Sequence, residues 1–211
     1  MLDYTEYVKI FVALLAVINP LGAISMFIAL TPGKGIEARK KIAKIASFSA
    51  TLILLVALIA GEGVLAIFGI SVSSFRVGGG ILILLLAISM LQAQRSLTVQ
   101  TKEEAEESDR KQDIAIVPLS TPLLAGPGSL STVVLQAHKG TGWVHEVLIA
   151  FAIVAVGTCI WASLHLAPWI SQRLGQTGIN IFTRIMGLIL AAIAVEFIAN
   201  GLKGLFPALA G

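Results

Sequence analysis

The sequence predicts an all-α polytopic membrane protein with six transmembrane spans, and three observations carry that reading. Of 211 residues, 56% are hydrophobic and only 13% charged, whereas a soluble domain carries about a quarter charged residues. Uncharged stretches of 24 residues occupy Ile10–Gly33 and Ile114–Ala137, and one of 18 occupies Val77–Gln94. Such stretches can cross a hydrocarbon core of roughly 30 Å as helices. Runs such as Thr51–Ala60 show none of the apolar–polar alternation that a transmembrane β-barrel needs.

Spans are expected at 8–30, 44–69, 74–94, 114–137, 146–170 and 181–205. The N-terminus is acidic where a secretory signal is basic, so the first apolar segment is expected to stay as a span. Between the third and fourth spans lies Arg95–Asp113, with six acids and four bases, which reads as a solvated linker. The chain therefore divides into a three-span unit at 1–94, a charged cytoplasmic linker at 95–113 and a second three-span unit at 114–211. Six spans place the first, third and fifth connections on one side, with eleven Lys and Arg against four on the other. The positive-inside rule puts both termini outside the cytoplasm. In a bacterium this means a multi-pass inner-membrane protein with periplasmic termini.

The two units resemble each other. Arg76–Gln92 lies over Arg184–Asn200 at an offset of 108, with Arg76/Arg184, Gly79/Gly187, Ile81/Ile189, Leu82/Leu190 and the amides Gln92/Asn200 in register. At an offset of 107, Asn19-Pro20 lies over Gly126-Pro127. Units with an odd number of spans must be inverted relative to one another, and inverted repeats of this kind build secondary transporters with a site near the midplane.

The first and fourth spans each carry a helix breaker about 15–18 Å deep. Proline fits the first turn of a helix and disrupts its interior. Asn19 and Gly126 are acceptable N-caps before Pro20 and Pro127. Each span is therefore expected to be two half-helices. The second half should present free N–H groups, from Leu21 to Ala23 and from Gly128 to Leu130, to a carboxylate. Unwound carbonyls before each break suit an ammonium group, so the pair describes a site for a zwitterion. The expected substrate-binding residues are Asn19, Pro20, Leu21, Gly22, Ala23 and Ser25 with Ala125, Gly126, Pro127, Gly128, Ser129, Ser131 and Thr132. Their small side chains would select small neutral substrates. A lone Pro in a span is ordinarily a structural kink; two at matching depth in matching spans are the pointer to a transporter site.

Other polar residues supply candidates for coupling or gating. Glu196 stands between Val195 and Phe197 in the last span and should be protonated, paired or in an aqueous cavity. Arg76 and Arg184 open equivalent helices, with interfacial snorkelling as the default. Gln92 and Asn200 suit interhelical hydrogen bonds, and Gly78-Gly79-Gly80 suits close helix packing. Glu62 is expected at the outer end of its helix.

Several classes are excluded. His138, His145 and His165 lack metal-ligand spacing, and the single Cys159 permits neither an intramolecular disulfide framework nor a cysteine metal cluster. Ser163 and His165, two apart, face different sides of a helix, which argues against a catalytic dyad. No phosphate-cradling glycine loop is present, so the chain is not expected to be an ATPase or another enzyme. Few aromatics and loop-borne basic charge argue against nucleic acid. No cofactor or metal is expected; the partners are a small neutral amino acid and the lipid bilayer, with a proton or sodium as coupling ion, and a homo-oligomer is left open.

Five segments resemble the MarC family of bacterial inner-membrane proteins, the six-span neutral amino acid transporter family, most closely its SnatA branch. They are Asn19-Pro20-Leu21-Gly22, Ser74–Gly80, Pro122–Gly128, Gln176-Thr177-Gly178-Ile179-Asn180 and Thr183–Leu188. The resemblance runs over nearly the entire chain. It implies an exporter of glycine, alanine, serine and threonine, and carries its site onto the two break segments. The competing reading is a channel or multidrug efflux protein.

Overall fold

The protein is described by a computed structural model over residues 3–31, 33–92, 124–140 and 142–210. The charged linker at 95–113 and the first half of the expected fourth span lie outside these residues. Among the described residues all regular structure is helical. Helix α1 spans Tyr4–Ile18, α2 Pro20–Leu30, α3 Ile36–Ile67, α4 Val72–Leu91, α5 Pro127–Ala137, α6 Trp143–His165 and α7 Ala167–Leu205, followed by a 3₁₀ turn at Pro207–Ala210.

Five segments among the described residues are long and apolar enough to cross a membrane: Tyr4–Leu30, α3, α4, α6 and α7. With 11 residues, α5 rises only about 16 Å and cannot span alone. Large side chains such as Phe48, Ile59, Phe151 and Leu188 face outward. In water this would be a liability; in lipid it is the expected surface.

Three element boundaries differ from expectation. The basic stretch before residue 44 is helical, because Glu37, Ala38, Arg39, Lys40 and Lys41 are strong helix formers and extend α3 beyond the apolar core. The fifth span ends at His165, at a corner on Leu166. The stretch between the fifth and sixth expected spans is helical too, interrupted only at Gly175, whose φ of 62° favours glycine. Arg184 consequently lies inside α7 and does not open a helix.

Two apolar cores hold the helices together. One joins residues of α1, α2, α3, α5, α6 and the first half of α7 around Leu14, Ile24, Phe27, Leu54 and Ile153. The other joins α1, α4, α5 and α7 around Val17, Ile83, Leu135 and Leu190. Helix α4 lies along α7 and α3 along α6; α2 packs on α6 and α7, while α5 packs on α3 and α4. Small residues allow the closest approach: a Cβ at Gly80 would lie 2.7 Å from Ile198 Cγ1, and one at Gly79 2.7 Å from Ser131 Cβ. The close-packing reading of this glycine run holds for Gly79 and Gly80, whereas Gly78 faces open space.

Candidate functional site

Asn19 is the residue at which the helix of the first span is interrupted. It has a left-handed backbone (φ 47°, ψ 67°), the only positive φ among the described non-glycine residues. Asparagine tolerates this conformation better than most residues because its short amide bonds locally. Its N–H donates to the Leu15 carbonyl at 3.0 Å and closes α1, while its own carbonyl accepts from Ala23 N at 3.1 Å and starts α2. Its Oδ1 accepts from Gly22 N at 3.2 Å. Gly22 is what makes room for that cap, since a Cβ there would collide with the Asn19 side-chain amide. Asn19, Pro20 and Ala23 are buried, and Leu21, Gly22 and Ser25 are half-buried.

These bonds correct the expectation of free amides at Leu21 to Ala23. Gly22 and Ala23 already donate, because a helix start that can cap itself lowers the cost of exposed donors in an apolar setting. The start of α5 is different. Gly126 caps without a side-chain bond, and among the described residues only the Leu130 amide of this first turn is taken, by the Gly126 carbonyl at 3.0 Å. Gly128 and Ser129 in the first turn are buried, Gly126 is half-buried and Pro127 is exposed. Ala125 is buried at 1% exposure.

The hydroxyls expected to face a ligand are also corrected. Ser129 Oγ donates to the carbonyls of Leu124 (3.1 Å) and Gly126 (2.9 Å). Ser131 Oγ donates to Pro127 O and Thr132 Oγ1 to Gly128 O, both at 2.8 Å. The Ser131 and Thr132 protons are thus committed to their own helix, and that of Ser129 to the backbone just before it. Only their acceptor lone pairs remain. Ser25 Oγ accepts from Gln176 Nε2 at 3.3 Å, which joins α2 to the first turn after the Gly175 interruption.

The two break segments meet. A Cβ placed on Gly128 would stand 3.3 Å from Val17 Cγ1, 3.5 Å from Ile83 Cγ1 and 4.0 Å from Leu86 Cδ2. The beginning of α5 therefore abuts the end of α1, two residues before Asn19. The same contacts correct the expectation of an open cavity at Gly128, since Val17, Ile83 and Leu86 fill that space.

The gating candidates distribute unevenly. Asn200 Nδ2 donates to Glu196 Oε1 at 3.3 Å within α7, and Gln92 is the exposed C-cap of α4, so neither amide bridges helices as expected. Glu196 is exposed, and its charge reaches Lys139 in the turn between α5 and α6. Partial burial lowers the Lys139 pKa from its ordinary 10.5; Glu6 and Glu196 pull it back up, and Arg76 and Lys9 push it further down. Arg76 and Glu196 thus both act electrostatically on this turn.

Two histidine contacts at this end have no signal in the sequence. His145 is fully buried. Its Nε2 lies 3.0 Å from the Gln136 carbonyl and its Nδ1 2.9 Å from the Tyr7 hydroxyl. A carbonyl only accepts, so Nε2 donates to Gln136, and in that tautomer Nδ1 accepts a hydrogen bond from the Tyr7 hydroxyl. His138 Nδ1 lies 2.7 Å from Glu62 Oε1, near the end of α3 as expected for Glu62. Together they tie the α5–α6 turn to α1 and α3. Their partners are separated by 138 and 76 residues, so no local pattern announces them.

Comparison with known proteins agrees with this architecture. The profile described as MarC family integral membrane protein matches residues 4–206. The UPF0056 membrane protein BU267 of Buchnera aphidicola (subsp. Acyrthosiphon pisum) is 42% identical over 207 residues, covering 98% of this chain and 96% of the relative. The UPF0056 membrane protein YhcE of Escherichia coli K12 is 40% identical over 209 residues, at 98% and 96% coverage. YvbG of Bacillus subtilis 168, of the same description, is 40% identical over 208 residues and 98% of both chains. No solved structure matches. Similarity of this extent to multi-pass membrane proteins makes the chain a member of the MarC family of integral membrane proteins.

Proposed function

We propose that the protein is a secondary transporter, working as an exporter, of small neutral amino acids such as glycine, alanine, serine and threonine across the bacterial inner membrane. The observation that carries the reading is the contact of the first turn of α5, at buried Gly128, with Val17 at the end of α1, just before the interruption at Asn19-Pro20. Helix starts favour a carboxylate, and chain ends or turns inside the apolar layer are tolerated where they line a cavity or are buried in protein.

An inverted three-plus-three repeat is supported by several correspondences. Helices α2 and α5 have 11 residues each, and both begin with proline at an offset of 107. Gly35 and Gly142 cap α3 and α6 at that same offset. The packing exchanges as well: α2 lies on α7 and α6, as α5 lies on α4 and α3. In this reading Val17, Ile83 and Leu86 close the site in the present conformation, and access alternates when one repeat moves against the other. The chain acts without catalysis or a bound cofactor, driven by a proton or sodium gradient.

Counterflow of labelled glycine into liposomes containing the purified protein tests the proposal. Glycine-loaded vesicles are expected to accumulate label, and pH or sodium gradients to change the rate. Pro20→Ala should slow counterflow more than Pro168→Ala, because Pro168 is an exposed first-turn residue of α7. Gly128→Ala asks a neighbour to yield by a few tenths of an ångström and should reduce the rate, with the fold intact by circular dichroism. Wild-type vesicles that exchange lipophilic drugs and not glycine would support the efflux reading instead.

A further inference from the structure

Away from the two breaks, α3 and α6 enclose a groove of about 370 Å³ that opens on the outer surface of the helical body. Its walls are apolar for most of their length, with Phe48 and Thr51 on α3 and Val154, Gly157 and Trp161 on α6. Gly157 sets how near the helices come at the groove floor, because a Cβ there would collide with Thr51 Oγ1. Lys44 is the one charged residue of the lining.

Charge is arranged asymmetrically along this groove. On α3 the positions 41, 44, 48 and 51 share one face at helical spacing, so Lys41 and Lys44 continue the stripe that carries Phe48 and Thr51. As second and fifth spans of the proposed six, α3 and α6 run in opposite directions. Lys44 and Trp161 then lie toward the same end, where His165 stacks on Trp161 with ring centroids 5.2 Å apart. The carboxylates of these two helices are accounted for elsewhere. Glu37 pairs with Lys40 at 3.0 Å, Glu62 contacts His138, and Glu146 is in the first turn of α6. Among the described residues no carboxylate pairs with Lys44.

We propose that this groove is a binding site for an anionic phospholipid, with one acyl chain lying between α3 and α6 against Phe48, Val154 and Trp161 and the phosphate held by Lys44. The occupant follows from the chemistry of the two ends. An apolar trough on a membrane-spanning body needs a hydrocarbon chain to cover it, and the cationic mouth beside an aromatic residue distinguishes a charged head from a zwitterionic one. An uncharged transmembrane helix laid in the trough would leave Lys44, the one charged residue of the lining, without a counter-charge. This inference is independent of the transport reading and stands if no amino acid is moved.

Trp161 reports on the site directly. In the full chain carrying Trp143→Phe and Trp169→Phe, both at exposed positions, it is the remaining tryptophan. The protein is reconstituted in vesicles of phosphatidylcholine mixed with brominated phosphatidylglycerol, or with brominated phosphatidylcholine as the matched control. Quenching at equal bromolipid fraction yields the relative affinity at Trp161. A preference of about five-fold for phosphatidylglycerol is expected from one lysine near the surface. Lys44→Gln should bring the ratio close to one, whereas Lys203→Gln should leave it unchanged. Thr158→Leu, at an exposed lining position, fills the trough and should reduce quenching by both lipids. Inorganic phosphate added to the buffer should not compete, as it supplies no chain. Equal quenching by the two lipids in the wild-type background, or a preference that survives Lys44→Gln, overturns the proposal.

Discussion

Asn19 performs three tasks with one residue: it ends α1, starts α2 and adopts a left-handed backbone. Each task can be separated by substitution. Glycine accepts the left-handed conformation and is a fair N-cap, so Asn19→Gly should cost only a few tenths of a kcal/mol. Alanine forfeits the cap and strains the backbone, so Asn19→Ala should cost about 2 kcal/mol. Denaturant titration of the two variants checks that order. If transport falls in Asn19→Gly while stability holds, the side-chain amide serves the substrate as well as the turn. Pro20, Pro127 and Asn19 were all legible from the sequence because their covalent restrictions act locally. The commitment of the Ser129, Ser131 and Thr132 protons was not legible, since the choice between a helix carbonyl and a ligand depends on what stands opposite the hydroxyl.

Among the elements, α5 is both short and deeply buried, and the turn after it carries the contacts that hold it. His145 joins that turn to α1 through Tyr7, and His138 joins it to α3 through Glu62. His145→Phe preserves the ring volume but strands the hydroxyl of half-buried Tyr7 and leaves the Gln136 carbonyl with the backbone amides of His138 and Lys139 alone. The expected loss is about 1–3 kcal/mol, whereas Lys139→Ala, on the exposed side of the same turn, should stay within about 0.5 kcal/mol. Urea or detergent titration followed by circular dichroism distinguishes the two. Element boundaries were misread where charge was mistaken for a loop: residues 36 to 44 and the stretch around Gly175 are polar yet helical. Propensity and backbone bonding continue a helix past the point where its side chains leave the lipid.

For the whole molecule, the asymmetry of eleven basic residues against four fixes the expected orientation. In a Cys159→Ala background, Lys139→Cys should react with a membrane-impermeant maleimide added to intact cells. Lys34→Cys should react only after permeabilisation. The opposite pattern would invert the protein in the membrane and place both termini in the cytoplasm.

Composition and apolar run length by themselves determined that this chain is a helical multi-pass membrane protein, and the helix starts at Pro20 and Pro127 were visible as prolines within those runs. These properties are local or additive along the chain, so no contact needs to be known to read them. The tertiary structure alone decided that the Asn19 turn and the start of α5 touch through Val17 and Gly128, that Val17, Ile83 and Leu86 fill the space between them, and that two histidines fasten the α5–α6 turn. Contacts between residues far apart in the chain arise from how whole helices pack, and packing is settled by shape complementarity that no single segment encodes.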